Sequence, residues 1–491
     1  MTIFLSRYLK LTVSALSLAT AGCIATPPPA GLKPNDLPVQ FEMKAPVNAQ
    51  VWPSIDWWQG FDSAELTEME QTAQTENLDI VQAAARVMQA QAQSGIASSA
   101  LFPDVTGSLG AQRSGTPIGG RTVPINTFNL GVNASYQVDL FGQIHAEVRA
   151  ANESLRSSRY AQQTVALTTM TAVANSYLDV LALRERLTIA HNNVDAAARI
   201  LAITQAKVTN GVSSNLDLAQ QRAQLEGQQA LIPLLEEQER EARYALAVLL
   251  GRVPEGFTVR AQNLNHIAPP VVAPGLPSEL LRRRPDVAAV EAQLYAAHAN
   301  VDAARAAFFP AIGLNGSAGT ASNTIGRLLG SGNFAWSIGL SLLQTIFDGG
   351  RLSSESDLAR AQQTELVAAY RKTALSAFSD VETSLGQTSS FAEQERLRTA
   401  QVADAQEAFR IAELQYREGV ADLLLVLQTQ QTLFVAQDQL VQIKLARLSA
   451  VIGLYQSLGG GWVETANGLP NTPPVGPIQT NADPEKPAGK S

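Results

Sequence analysis

The side chains that could do chemistry in this chain are few, and their spacing points away from catalysis. The four histidines, His145, His191, His266 and His298, stand far apart with no metal-ligand spacing. No phosphate-binding loop and no nucleophile–base constellation occurs, so no enzyme activity and no cofactor are implied. The single cysteine, Cys23, has no disulfide partner. The densest polar cluster is Tyr416-Arg417-Glu418-Gly419-Val420-Ala421-Asp422, with Asp217 at a related place earlier in the chain. Repeated around a ring of chains, Glu418 and Asp422 could select cations and gate a passage. Tyr416 and Arg417 could tie neighbouring helices. The competing reading is a charged tip that is only solvated.

Cys23 has its own chemistry. Arg7 and Lys10 give a positive start, Leu11 to Ala19 a short apolar stretch, and Ala21-Gly22 small residues before the cysteine. This reads as a secretory signal over residues 1–22. Cleavage would leave Cys23 as a lipidated first residue, as in a bacterial lipobox, although Thr20 stands where Leu is usual. Several acyl chains anchor a protein stably. Ile24, where an Asp would resemble an inner-membrane retention signal, favours the outer membrane. An ordinary signal peptide with an incidental cysteine is the alternative.

The elements that must hold the polar cluster are written twice. Asp79 to Pro103 aligns on Asp286 to Pro310 without a gap, Gly211-Val212 on Gly419-Val420, and Leu250-Gly251 on Leu458-Gly459. So long a period marks a duplicated domain, not a solenoid. Each half opens with a helix, Ser63 to Leu101 or Ser278 to Phe309, stopped by Pro103 or Pro310. Two strands follow, about Val105 to Gln112 and Phe128 to Val138, then Ile312 to Thr320 and Phe334 to Leu342. The second strands alternate clearly: Phe128, Leu130, Val132, Ala134, Tyr136 and Val138 against Thr127, Asn129, Gly131, Asn133, Ser135 and Gln137. Such period-two segments have one wet face. The segments Arg113 to Asn126 and Ala321 to Gly332 read as surface loops.

Next in each half comes a very long helical run, Gln143 to Asn210 without Gly or Pro, and Arg351 to Glu418 with only Gly386. At about 1.5 Å per residue each would extend roughly 100 Å. Each ends at a glycine suited to a C-cap and is followed by a returning helix. Apolar residues such as Leu178, Leu181, Ile189, Val194, Ile200 and Ile203 are spaced for coiled-coil packing.

Composition agrees. Charged residues are 16% and the net charge is −8, which offers no basic stripe for nucleic acid. No segment beyond the signal holds the ~18 consecutive apolar residues of a membrane helix, so any later crossing is by strands. The tracts Thr122 to Val138 and Phe308 to Gly326 carry no charge, and the strands are long enough to span when tilted. A β-sandwich face would be the soluble alternative. Four strands cannot close a membrane barrel, whose smallest examples have about eight, so copies must assemble in a ring.

The chain resembles the TolC-type outer-membrane efflux proteins, in particular the NodT-like lipoprotein branch that serves resistance-nodulation-division pumps. The resemblance rests on Trp57-Trp58 with Phe61-Asp62, on Leu276-Pro277-Ser278 followed by Leu280-Leu281-Arg282-Arg283-Arg284-Pro285-Asp286, on Ala306-Ala307-Phe308-Phe309-Pro310, and on Tyr416 with Gly419. It covers nearly all of the chain from Cys23 to Gly461. It implies a mainly α protein with a transmembrane β-barrel part. Its two tandem repeats would each be a β-hairpin plus a long α-helical coiled-coil hairpin. A homotrimer would then form a twelve-stranded barrel over an α-helical periplasmic tunnel, coupled to a periplasmic adaptor and an inner-membrane pump. It also implies a periplasmic end that closes like an iris, which makes Tyr416, Arg417, Glu418, Asp422 and Asp217 the gate candidates. The family's aspartate positions just past the second tip are Leu425 and Gln428 here.

The expected layout is a signal peptide (1–22), a lipidated tether (23–60), a first repeat (61–258), a linker (259–277), a second repeat (278–461) and a disordered tail (462–491). The expected function is a passive outer-membrane exit duct for small molecules or drugs. A duct for protein or siderophore secretion is the alternative, and a lipid-anchored coiled-coil spacer a third reading that leaves the uncharged strands without a purpose.

Overall fold

The computed structural model describes residues 38, 40–42, 50–119 and 121–463. Residues 1–22, where a signal peptide is expected, Cys23 and residues 464–491 lie outside the described residues. In chain order the elements are β1 (Gln50–Val51), a 3-10 turn (Trp57–Phe61), α1 (Ala64–Glu76), α2 (Leu78–Ser99), β2 (Asp104–Ile118), β3 (Arg121–Val138), α3 (Gln143–Thr209) and α4 (Asn215–Leu249). The second half supplies β4 (Val272–Ala273), α5 (Pro277–Leu280), α6 (Pro285–Ala306), β5 (Ala311–Ser322), a 3-10 turn (Ile325–Arg327), β6 (Phe334–Leu343), α7 (Arg351–Arg417) and α8 (Leu423–Ser457).

Two compact units form. The first combines residues 87–158 and 289–371 and holds the main sheet. This sheet is four-stranded and antiparallel, in the order β2-β3-β5-β6, so the two repeats meet along β3 and β5. Register places Leu109 opposite Leu130, Tyr136 opposite Leu314, Leu314 opposite Leu340, and Ala318 opposite Trp336. Residues opposite one another share a face. One face is therefore apolar across all four strands. The other carries Asn129, Asn133, Ser135, Asn315, Ser317 and Ser337, with the Ser317 and Ser337 hydroxyls 2.8 Å apart. The apolar face lies bare in the single chain, with Trp336 at 69%, Ile338 at 75% and Leu340 at 74% exposed. A face of that size needs a non-aqueous neighbour. Below the sheet Phe141 stacks on Phe309 at 4.8 Å, and Arg149 pairs with Asp302 at 3.2 Å.

The second unit comprises residues 33–86, 159–288 and 372–491, of which the described ones hold the helical core. All four long helices end alike. The third residue past each helix donates its N–H back to a carbonyl five residues earlier: Val212 to Lys207, Arg252 to Ala247, Val420 to Gln415 and Gly460 to Tyr455, at 2.8–2.9 Å. This is the Schellman closure, which needs a left-handed residue before the donor. Two of these glycines also answer a close approach. A Cβ on Gly251 would meet the Glu76 carbonyl oxygen at 2.4 Å, and one on Gly459 the Arg283 oxygen at 1.8 Å. The approach exists because the first helix of each repeat locks onto the returning helix. Asn77 Nδ2 donates to the Leu249 carbonyl at 2.7 Å, and Arg284 to the equivalent Ser457 carbonyl at 3.4 Å. Arg284 also forks onto Asp286 at 2.6 and 3.0 Å and reaches Asp380 at 2.9 Å.

Four expectations are corrected. The helix expected over Ser63 to Leu101 is two, because Asn77 leaves the helix with ψ 128° and turns its side-chain oxygen onto the Asp79 and Ile80 N–H groups. The helix expected over Ser278 to Phe309 breaks likewise before Pro285, since the residue before a proline avoids the helical region. The segment Arg113 to Asn126 is no loop; β2 and β3 continue pairing through Ile118 opposite Arg121. Trp462, assigned to the tail, packs edge-on to Tyr160 at 5.6 Å and is buried. One helix among the described residues, α3, has a stretch apolar enough by length and composition to cross a membrane, and 56% of it is buried inside the chain.

Residues between the repeats are held by charged side chains, which satisfy the backbone of a chain with few partners of its own. Arg184 donates to the Val259 and Ala261 carbonyls at 2.7 and 2.8 Å. Glu65 accepts from the Arg260 and Ala261 N–H groups at 2.6 and 3.0 Å, and Glu185 from Leu264 at 3.1 Å. The two-residue strands β1 and β4 pair in parallel beside it.

Candidate functional site: the paired helical tips

The gate candidates gather where α3 turns into α4 and α7 into α8. Their core is apolar: Ile200, Phe409, Ala412, Leu423, Val426 and Phe434 pack around the Tyr416 ring, which is 3% exposed. The Tyr416 hydroxyl lies 3.0 Å from Thr204 Oγ1. Thr204 gives its own proton to the Ile200 carbonyl at 2.9 Å, so Tyr416 is the donor of the pair. Lys207 Nζ stands 4.7 Å from the centre of the same ring, within cation–π range. Tyr416 thus ties α7 to α3 of its own chain, the end of one repeat to the end of the other.

The two tip aspartates hold helix starts. Ser214 caps α4: its hydroxyl accepts from the Asp217 N–H at 3.1 Å while Asp217 Oδ2 accepts from the Ser214 N–H at 3.0 Å, a complete capping box. The Ser213 hydroxyl adds a 2.7 Å bond to the same oxygen. These bonds, that of Ser213 foremost, hold the Asp217 carboxyl below the usual carboxylate range. Asp422 is the repeat equivalent of Ser214 and caps α8, accepting from the Leu425 N–H at 3.1 Å. Leu425, standing where the first repeat has Asp217, cannot return the bond, so the second tip has half a box with the charge moved onto the cap.

Arg417 and Glu418 remain at the surface, 58% and 70% exposed, with 3.7 Å between Arg417 Nε and Glu418 Oε1. Among the described residues Arg417 has no tie to a neighbouring helix comparable to that of Tyr416. A cleft between the tips is lined by Lys207, Asp217, Tyr416, Arg417, Glu418 and Asp422. The structure therefore brings all five gate candidates to one cleft, adds Lys207 and Ser213 to its lining, and places Thr204 and Ser214 behind them as partners of Tyr416 and Asp217. The Ser214-x-x-Asp217 spacing is a capping-box signature legible in sequence, whereas Thr204 and Lys207 carry no local signal.

The second functional surface is the sheet. Among the described residues its outer strands β2 and β6 each leave one edge unpaired, and its two faces differ in polarity. A family model described as "Outer membrane efflux protein" matches the chain twice, over residues 70–252 and 276–460. The chain belongs to the outer membrane efflux protein family. The duplicated match coincides with the two structural repeats, and the bare apolar sheet face is the membrane-facing surface of an outer-membrane channel. Long helices of the kind formed by α3, α4, α7 and α8 build the periplasmic tunnel of that fold. The chain is similar to the pyoverdine export outer membrane protein OpmQ of Pseudomonas aeruginosa, with 39% identity over 94% of this chain and 98% of the relative. It is 33% identical to the toluene efflux pump outer membrane protein TtgC of Pseudomonas putida, over 83% of this chain and 85% of that one. Among solved structures it is similar to the open state of the Neisseria gonorrhoeae MtrE outer membrane channel, with a TM-score of 0.79, 26% identity, and coverage of 89% of this chain and 98% of that one.

Proposed function

We propose that three copies of the chain close one barrel and one helical tunnel and conduct a small, polar, siderophore-class solute passively out of the periplasm. The observation that carries the reading is the sheet: four strands, two unpaired edges, one apolar and one polar face. In lipid every backbone donor and acceptor must be paired, so β2 of one copy needs β6 of the next. Three copies supply twelve strands. Apart from Asp104 at the start of β2, opposite Ser135, the wet face across the four strands is built from amides and hydroxyls, which suits a hydrated solute that must not be held tightly. The cargo assignment is supported by the 39% identity to a pyoverdine exporter, against 33% to a toluene efflux channel. An inner-membrane pump and a periplasmic adaptor supply the driving force, since the duct has no energy source of its own. Cys23 carries the lipid anchor, and Tyr416, Arg417, Glu418, Asp422 and Asp217 form the periplasmic gate.

The test is removal of the gene from its host and restoration on a plasmid. Siderophore in the medium of iron-limited cultures should fall and then return, with antibiotic susceptibility little changed. Undiminished siderophore together with a several-fold rise in susceptibility to antibiotics and solvents would assign the duct to drug efflux instead. Crosslinking at the tip cleft, followed by identification of the captured proteins, tests for the adaptor. Palmitate labelling that disappears in Cys23→Ala tests the anchor.

A further inference from the structure

The polarity of the sheet reverses along the first hairpin. Up to Phe128 the even residues of β3 belong to the apolar, lipid-side face and the odd residues to the polar, lumen-side face. Above that point the assignment inverts. Ile125 and Val123 continue the lumen-side row of Thr127 and Asn129, while Asn126, Pro124 and Thr122 continue the lipid-side row. The pairing has no bulge to account for this: Gln112 opposes Thr127, Arg113 opposes Asn126, Ser114 opposes Ile125 and Gly115 opposes Pro124, in unbroken register. Parity along a strand is strict, so the side chains did not switch faces; the surroundings changed. A tilted strand crosses the hydrocarbon in about 9–11 residues, so β2, starting at Asp104, leaves it near Arg113. Beyond that level, apolar residues gain nothing by pointing outward into water. Here they point inward, each 42% exposed in the single chain.

What covers them follows from the edge on which they sit. The hairpin belongs to β2, the strand whose free edge must pair with another copy, so the hairpins of all copies stand around one lumen. The second loop of each chain adds Ile325 at 72% and Leu329 at 81% exposure, two more bare apolar side chains between β5 and β6. We infer that Val123 and Ile125 of the assembled copies meet at the extracellular mouth and form an apolar constriction that limits the leak of water and ions through the resting duct. Hydrophobic constrictions gate by dewetting, which needs no charge and opens when a solute forces the ring apart. This rests on the proposal that the copies close a ring.

The test exploits the single cysteine of the chain. Ile125→Cys and Asn126→Cys are made in the full-length, outer-membrane-inserted protein and treated with a short bis-maleimide crosslinker, with the unsubstituted chain as background. Strand alternation predicts roughly tenfold more inter-chain crosslinking at position 125 than at position 126. A membrane-impermeant maleimide should label position 126 more readily from outside the cell. Native mass spectrometry of the same preparations reports whether the chain is oligomeric. An oligomer that crosslinks through position 126, or through neither, overturns the constriction and leaves the ring standing. A monomer overturns both.

Discussion

The bond between Tyr416 and Thr204 can be removed almost without touching the packing around it. Tyr416→Phe keeps the ring inside the cluster of Ile200, Phe409 and Val426 and deletes only the hydroxyl. Thr204 keeps its bond to the Ile200 carbonyl, so no donor is stranded. The loss is that of one buried neutral hydrogen bond, about 1 kcal/mol, or a factor of roughly 5 in an equilibrium. If this bond ties α7 to α3 in the closed tip, the open population rises by about that factor. Tyr416→Ala is a different perturbation: it also empties a ring-sized space, costs about 3–5 kcal/mol and loosens the tip as a whole. The assay is open probability in planar bilayers, with Thr204→Val as the partner variant and the double variant closing the cycle. The double variant should open no more than the stronger single one, because both remove the same bond. Unchanged open probability in Tyr416→Phe, or strictly additive effects in the cycle, would show that the bond takes no part in closure.

Four further outcomes follow from the geometry. Asp422→Ala removes both a helix cap, at about 1 kcal/mol, and a charge, whereas Asp422→Asn keeps the cap. Both should raise single-channel conductance and weaken cation preference if the carboxylate lines the passage, and a change confined to Ala would reduce Asp422 to a cap. Asp217, with its carboxyl held below the ordinary value by Ser213 and Ser214, contributes stability that is present above the unfolded pKa and is lost only as pH falls through the lower folded value. Hydrogen exchange at Ser214 and Leu218, corrected for intrinsic rates, should therefore be flat from pH 7 to about 5. Arg284→Lys loses the fork onto Asp286, and Arg284→Ala strips Asp286 and Asp380 of their common partner. Because Asp380 is half exposed, the cost of Ala is about 2–4 kcal/mol, read as a lower denaturation midpoint, with Lys recovering less than half. Gly459→Ala should prevent stable folding, as its Cβ would strike the Arg283 carbonyl, whereas Gly419→Ala, with φ 79° and space around it, should cost about 1–2 kcal/mol in thermal unfolding.

The parts of this fold legible in the sequence were those governed by periodicity over many residues. The alternation from Phe128 to Val138 placed β3 and both its faces, and the long runs without proline, one free of glycine and the other with only Gly386, placed α3 and α7 nearly to the residue. The misreadings lie where one polar side chain, one proline or one pairing overrides the local pattern. Asn77 ends α1 by competing for the backbone N–H groups of Asp79 and Ile80, an interaction that a helical periodicity does not register. The Gly, Pro and Ser content of residues 113–126 signals a loop, yet fifteen consecutive pairs, from Asp104 opposite Ser135 to Ile118 opposite Arg121, hold it as a hairpin. Glycine and proline weaken a strand without forbidding it when its partner is continuous. At the tip, the caps at Ser214 and Asp422 were within reach of a pattern search, because each precedes an apolar helical run. The Thr204 partner of Tyr416 was not, since 212 residues separate the two and only the packing of one repeat on the other joins them.

The duplication itself explains where chemistry could enter. At the far end from the tips, both repeats keep the same lock: a side chain at the head of α2 or α6 bonds a carbonyl at the end of α4 or α8, beside a glycine that admits no Cβ. There Asn77 and Arg284 differ in type and do the same work. At the tips the backbone closures are again equivalent, but the side chains are not. Val208, Ser214 and Asp217 of the first repeat face Tyr416, Asp422 and Leu425 of the second. At the lock the glycine admits no Cβ because two helices converge on one backbone contact, while the donor side chain can be Asn or Arg. A tip held by its own Schellman closure and cap keeps its shape whichever polar residue supplies the cap. Where the backbone is already satisfied the side chains of the two repeats differ most freely, so the asymmetric residues, Tyr416 and Asp422 above all, are those whose substitution tests closure and ion selection.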